Sequence, residues 1–301
     1  MDKQIFWLAS YPKSGNTLLR YILIALFFTE DGRFNFNNSK LISQFDQTII
    51  IKKNKHIFGN DFNKLGDIKI FYKFLDKLQS KKSLGFKNDF IFLKTHAGMF
   101  KIDNNAFSKI ENIRGYIYII RDPRDVCISN AKHNGITFDK SIDMMLNENT
   151  IINWVTKKED EETFDQNTKP KSLMSSWDRH VISWTKLNWG IPYLILKYED
   201  LVYDKRNTLQ KIILFFEKNY NFKFHNINNK ILNILETTEF KKFKEYEEKE
   251  GFTEATGFSN FFLVGEKNQW KEKLTISQIK RIEKNFGKLM KSFNYKLSVE
   301  S

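Results

Sequence analysis

A short apolar run, Ile5–Tyr11 (IFWLASY), passes directly into Pro-Lys-Ser-Gly-Asn-Thr and then into a second apolar stretch, Leu18–Phe28, interrupted only by Arg20. A run with no polar alternation suits a strand buried on both faces, the turn-forming cluster suits a tight connection, and the longer stretch suits a helix. Such a strand, feeding a helix through a short turn, brings unpaired backbone N–H groups and the positive end of the helix dipole to one point, where phosphate binds. Gly15 lets the backbone approach an anion closely, Ser14 and Thr17 offer hydroxyl donors, and Lys13 adds a full positive charge. The lysine precedes the glycine, so this is not a GxxxxGK[ST] loop. As a bare pattern, Lys-Ser-Gly in this setting fits an ordinary polar turn as well as a phosphate loop.

Three further runs, Phe90–Lys94 (FIFLK), Tyr116–Ile120 (YIYII) and Tyr193–Lys197 (YLILK), are also rich in β-branched and aromatic residues. Helical patterns lie among them at Pro123–Lys132, Ser175–Asn188, Arg206–Asn219 and Thr275–Phe293. Alternation of strand and helix predicts an α/β fold, a single domain over 1–301 with a central parallel sheet flanked by helices. At 301 residues and 41% hydrophobic content the chain is long enough to bury one substantial core. Residues 30–89 and 147–175 are polar and weakly patterned, and are expected as insertions beside that core. Their aromatics (Phe34, Phe36, Phe45, Phe58, Phe62, Phe71, Tyr72, Phe74) are expected to pack inside, and the acidic group Glu159, Asp160, Glu161 and Glu162 to form a solvated face.

Net charge is +13, but 41 of the 49 basic residues are lysines spread along the whole chain. Nucleic-acid surfaces cluster their charge, so no nucleic-acid partner is expected. Cys127 is the single cysteine, and the five histidines show no CxxC, HxxxH or HExxH spacing, so a reducing compartment and a metal-free mechanism are expected. No signal-peptide pattern opens the sequence, and Leu18–Phe28 is shorter than the ~20 residues of a membrane span. A cytoplasmic chain with no membrane partner is the expectation.

SYPKSGNTLLR resembles the 5'-phosphosulfate loop of the cytosolic sulfotransferases, whose usual form is YPKSGTTW. Further matches follow in the family's order. Phe92-Leu93-Lys94-Thr95-His96 is similar to its KTH strand end, Tyr118–Asn130 (YIIRDPRDVCISN) to its 3'-phosphate segment, Ser176-Trp177-Asp178-Arg179-His180 to its SWxxH helix, and Lys197–Leu201 to its YEDL stretch. The resemblance implies a P-loop NTPase-like fold that uses 3'-phosphoadenosine-5'-phosphosulfate (PAPS) as sulfuryl donor and releases adenosine 3',5'-bisphosphate. It implies that Lys13 contacts the bridging oxygen, that Ser14, Gly15, Asn16 and Thr17 hold the 5'-phosphate, and that His96 is the general base. By the same resemblance Arg121 and Ser129 bind the 3'-phosphate, Tyr198 approaches the adenine and Phe240 stacks on it, and Gly265 belongs to a segment, Phe261–Trp270, similar to FxRKGxxGDW. The chain departs from the family at Leu18, where a tryptophan is usual, at Asn16 for threonine, and at Leu263 and Val264, where an Arg-Lys pair contacts the 3'-phosphate.

These residue types suit the chemistry. Sulfuryl transfer is an in-line displacement whose rate depends on positioning and charge stabilisation, and an ammonium beside the leaving phosphate oxygen acts most strongly in the transition state. An imidazole matches the proton that the acceptor hydroxyl or amine must lose. His96 follows a strand, at the sheet edge where open α/β sheets bind ligands. Ser129 is two helical turns beyond Arg121, so both reach one side. Arg124 and Asp125 are expected as exposed surface and a cap, and His56, His133, His180 and His225 as structural. The alternatives are a P-loop nucleotide kinase or NTPase and a catalytically degenerate nucleotide-binding protein. Lys271–Lys280 resembles the family's dimer segment, KxxxTVxxxE, but ends in lysine, which leaves a homodimer open. The expected partner is a small-molecule acceptor of unspecified identity.

Overall fold

A computed structural model describes residues 3–154, 158–186, 189–252 and 267–298. Five strands form its main sheet: β1 (Ile5–Ser10), β2 (Ser43–Gln44), β3 (Ile91–Thr95), β4 (Ile113–Ile120) and β5 (Tyr193–Lys197), in the order β2-β3-β1-β4-β5. β1 pairs with β3 in parallel, Ile5 opposite Ile91 through Ala9 opposite Thr95, and β2 adds to β3 in parallel. All six residues of β1 are buried, as a central strand covered on both faces requires. The sheet is therefore the parallel α/β sheet expected, with strand ends within two or three residues of the predicted ones. β2 was not expected; two residues inside a polar stretch carry no periodic pattern.

The chain divides into two compact units. The first comprises the described residues of Met1–Tyr11, Ile42–Tyr118 and Glu148–Ile195 and carries the sheet, with β4 and β5 running on at their last residues into the second unit's share of the chain. Its core is aromatic: Trp7 meets Phe45 and Phe107 edge-on or tilted, and Trp154 meets Phe45 and Phe71. The helix Trp177–Thr185 and an antiparallel pair, Ile151–Asn153 with Lys171–Leu173, belong to this unit. Asp160 corrects the solvated-face expectation, since it is buried and accepts hydrogen bonds from Thr48 and Lys52.

The second unit comprises Pro12–Leu41, Ile119–Asn147 and the described part of Leu196–Ser301. The helix Asn16–Phe28 buries eleven consecutive residues, Asn16–Leu26, and so lies within the unit rather than on its surface. Tyr21 stacks on Phe34 at 4.3 Å between ring centres, Phe243 joins them edge-on, and Phe27 meets Phe216, Phe222 and Phe224. Full burial of each such side chain contributes ~1.5–3 kcal/mol. Of the aromatics expected to pack, Phe34, Phe45, Phe58, Phe71, Tyr72 and Phe74 are buried. No described helix is long and apolar enough to cross a membrane.

Candidate functional site

β1 stops at Ser10, and the next helix starts at Asn16, so Tyr11–Gly15 must reverse the chain in a short space. Two residues take left-handed backbone to do so, Lys13 at φ 65° and Gly15 at φ 96°. At Gly15 a Cβ would lie 2.5 Å from the Tyr198 ring, so the glycine is required both by its φ and by space. Lys13 adopts the same region with a side chain, a conformation of roughly 1–3 kcal/mol strain that surrounding contacts must hold. Arg121 supplies one of them, its Nη1 donating to the Lys13 carbonyl at 2.9 Å. The Arg121 guanidinium also lies 4.1 Å from the centre of the Tyr198 ring. The buried Tyr198 ring therefore supports the loop through Gly15 and Arg121 together. Its burial raises the hydroxyl above the ordinary phenol range, although Arg121 pulls the other way.

This loop offers donors to an anion. No side chain caps the start of the Asn16–Phe28 helix, and no acidic residue occupies its first turn. The Ser14 hydroxyl, in a residue only 1% exposed, has no hydrogen-bond partner among the described residues. A buried hydroxyl with no acceptor costs ~1–3 kcal/mol, a cost that a phosphate oxygen would remove. Asn16 and Thr17 are buried in the same turn. The donor set thus fits a phosphate.

The Arg-Asp-Pro-Arg-Asp segment after β4 is built inward. Asp122 caps the helix Pro123–Asn134 by accepting from the Arg124 backbone N–H, and its own N–H donates to Glu199 at 3.1 Å. Arg124 is not exposed as expected: it is buried, pairs with Asp122 and Glu283 at 2.6 Å each, and lies 3.6 Å over the Trp270 ring. Asp125 is buried too, and accepts from the backbone N–H groups of Asn268 and Trp270 at 2.7 and 3.1 Å. Desolvation raises the Asp125 carboxyl above its usual range against the pull of Arg121. The cap is thus Asp122, and Asp125 instead anchors the chain at 268–270. Ser129 is half-buried on the same helix. Phe240 is half-buried and opens the helix Phe240–Glu250, two residues after Thr238, whose carbonyl accepts from Lys205. Gly265, with Phe261, Leu263 and Val264, lies outside the described residues.

In the first unit His96 follows β3, and its ring Nδ1 lies 2.8 Å from the Ser10 carbonyl. A carbonyl only accepts, so Nδ1 carries the proton and the lone pair lies on Nε2. Asp46 holds the backbone beneath: its carboxylate accepts from the His96 N–H at 3.0 Å and the Thr95 hydroxyl at 2.8 Å, and Thr95 Oγ1 accepts from the Ala97 N–H. Burial pushes the Asp46 carboxyl up to about 6, against those two hydrogen bonds and the Lys94 charge. The helix Trp177–Thr185 fixes the far side of the turn. His180 Nε2–H donates to the His96 carbonyl, Trp184 to the Ala97 carbonyl, and Ser183 Oγ accepts from the Met99 N–H, each at 3.0 Å. His180 also accepts from the Tyr118 hydroxyl at 2.9 Å, and burial lowers it to about 4, so the ring is neutral. Its structural reading holds, with a specific task.

The structure thus brings Lys13, Gly15, Arg121 and Tyr198 together within the second unit, and Asp46, His96 and His180 together within the first. Sequence reasoning missed Asp46, which sits in a polar stretch with no motif to mark it. His133, expected as structural, places its Nδ1 3.3 Å from Lys13 Nζ. Among the described residues no group of three or more His, Cys, Asp and Glu side chains is placed to hold a metal ion.

The chain is 26% identical over 207 residues to Sulfotransferase 2A2 of Rattus norvegicus, covering 67% of this chain and 64% of that protein. It is 27% identical over 192 residues to the 3-beta-hydroxysteroid sulfotransferase of Cavia porcellus, covering 60% and 58%. The matched region therefore spans less than two thirds of these relatives' own length. Among solved structures, retinol dehydratase in complex with androsterone and the inactive cofactor PAP superposes with a TM-score of 0.60 at 19% identity, covering 99% of this chain and 84% of that one. Mouse sulfotransferase SULT7A1 complexed with PAP gives 0.56 at 17%, covering 96% and 86%. At such identities these two speak for the fold. The family model for the sulfotransferase domain matches from residue 3 to residue 294, so that the chain belongs to the sulfotransferase family.

Proposed function

We propose that the chain is an enzyme that transfers a sulfuryl group from PAPS to the hydroxyl or amine of a small acceptor. The observation that carries this reading is the loop of Lys13–Thr17, where a buried serine hydroxyl without a partner adjoins an uncapped helix start and an arginine-braced lysine. Support comes from the two structural neighbours, both bound to PAP.

In this proposal Ser14, Gly15, Asn16 and Thr17 hold the 5'-phosphate, and Lys13 meets the negative charge that grows on the phosphate oxygen as the S–O bond breaks. Arg121 and Ser129 bind the 3'-phosphate, Phe240 stacks on adenine, and Gly265 lies in the remaining nucleotide segment. Tyr198 acts there through Gly15 and Arg121. His96 takes the acceptor's proton on Nε2, the nitrogen that the Nδ1–H bond to the Ser10 carbonyl leaves as the acceptor of the ring. No metal takes part. The segments 30–89 and 147–175 of a single 1–301 domain line the acceptor site.

An acceptor screen with ³⁵S-labelled PAPS tests this, beginning with hydroxysteroids because a relative is named for them. Label should pass to an organic acceptor with the chain and not with its His96→Ala variant, which should still bind adenosine 3',5'-bisphosphate. Chelators should leave the rate unchanged. Activity abolished by chelation would favour a metal-dependent nucleotide kinase instead.

A further inference from the structure

His133 lies in the last turn of the helix Pro123–Asn134, and its Nδ1 is 3.3 Å from Lys13 Nζ. An ammonium only donates, so the neutral ring accepts at Nδ1 and keeps its proton on Nε2. Lys13 is held from another side as well, because Arg121 Nη1 donates to its carbonyl at 2.9 Å. Arg121 and His133 stand at the two ends of one continuous segment, 121–133. Between them Ser129 is four residues before His133, hence on the same helical face. One stretch of chain thus holds the backbone and the ammonium of a residue whose left-handed φ of 65° must be maintained by contacts.

We infer that His133 is a positioning residue for Lys13, its imidazole accepting a hydrogen bond that holds the ammonium over the phosphate loop. The inference rests on the reading of that loop as the sulfuryl-donor site. A lysine ammonium ends a flexible four-carbon stem and is a mobile point charge. Charge stabilisation in a transition state depends on groups already in place, so a fixed acceptor on a helix increases what Lys13 delivers. Arg121 donates to the Lys13 backbone, and His133 acts at the ammonium end of the stem.

The test compares His133→Leu, which removes the acceptor, His133→Asn, whose side-chain oxygen takes the place of Nδ1, Lys13→Met, and the His133→Leu/Lys13→Met double variant. For each, kcat and KM for PAPS, calorimetric affinity for adenosine 3',5'-bisphosphate and thermal midpoint are measured, and imidazole ¹⁵N spectra are recorded for wild type and Lys13→Met. His133→Leu should lower kcat by ~10–100-fold with KM, affinity and midpoint nearly unchanged, as expected for a charge displaced by about an ångström. His133→Asn should recover most of that loss, and His133→Leu should cost nothing further in the Lys13→Met background. The His133 Nδ1 resonance should move in Lys13→Met. Wild-type kcat in His133→Leu, or an unmoved resonance, overturns this inference alone. Failure of the wild type to bind the bisphosphate overturns the donor-site reading beneath it.

Discussion

Replacing Asp46 by asparagine removes a carboxyl that burial holds at about 6, against 3.8 when unperturbed. Between those two values the folded protein binds a proton at Asp46 that the unfolded chain does not, so this group's stabilising contribution is full below about 3.8 and is lost as pH rises through about 6. A displacement of about two pH units at ~1.4 kcal/mol each gives about 3 kcal/mol. His180 works in the opposite direction. Its folded value is lowered to about 4 from 6.5, so its contribution is full above 6.5 and is lost as pH falls toward 4, again by about 3 kcal/mol. In the wild type the two contributions therefore oppose each other across about pH 4–6. Asp46→Asn should expose the histidine: relative to wild type, the variant should lose about 3 kcal/mol between pH 7 and pH 4. Urea unfolding followed by tryptophan fluorescence suits the measurement, because Trp7, Trp154, Trp177, Trp184 and Trp189 all belong to the unit that contains both groups. Other buried carboxyls, Asp125 and Glu199 among them, titrate in both proteins and cancel in the comparison. Stability curves that stay parallel from pH 7 to pH 4 would refute the burial argument for Asp46.

Gly15→Ala places a methyl group 2.5 Å from the Tyr198 ring on a residue at φ 96°, and should lower affinity for adenosine 3',5'-bisphosphate at least ~100-fold by calorimetry. Arg124→Ala leaves Asp122 and Glu283 buried without their cation, and should cost about 3–5 kcal/mol in urea unfolding; a loss below 1 kcal/mol would show that the pair is not sealed from water. Lys13→Ala should reduce kcat by ~1,000-fold or more while the bisphosphate affinity falls far less, and an unchanged kcat would remove Lys13 from the chemistry.

The local features of the chain were the legible ones. The strand expected over Ile5–Tyr11 announced itself because a strand covered on both faces needs no polar alternation, and Gly15 because it lets the backbone of a phosphate-binding turn approach an anion closely. The SWxxH segment was visible by resemblance, but its purpose was not: His180, Ser183 and Trp184 each bind the backbone of residues 96–99, about 85 positions away in sequence. The errors share one cause. Arg124 and Asp160 read as surface and Asp125 as a local cap because isolated charges are seldom buried, whereas each finds its partner far along the chain, at Glu283, at Thr48 and Lys52, and at Asn268 and Trp270. Asp46 was silent for a related reason. Its role comes from the pairing of a two-residue edge strand with β3, and nothing in the sequence of residues 42–47 signals that pairing.

The central claim, that the Lys13–Thr17 loop and Arg121 receive a 3'-phosphorylated adenine nucleotide, is tested most directly by calorimetry of adenosine 3',5'-bisphosphate against AMP. The two ligands differ only in the 3'-phosphate. A charged hydrogen bond contributes ~1.5–3 kcal/mol, so the bisphosphate should bind at least ~10-fold more tightly, and Arg121→Ala should erase most of that preference. Equal affinities in the wild type would mean that the 3'-phosphate is not recognised, and would contradict the assignment of PAPS as the donor.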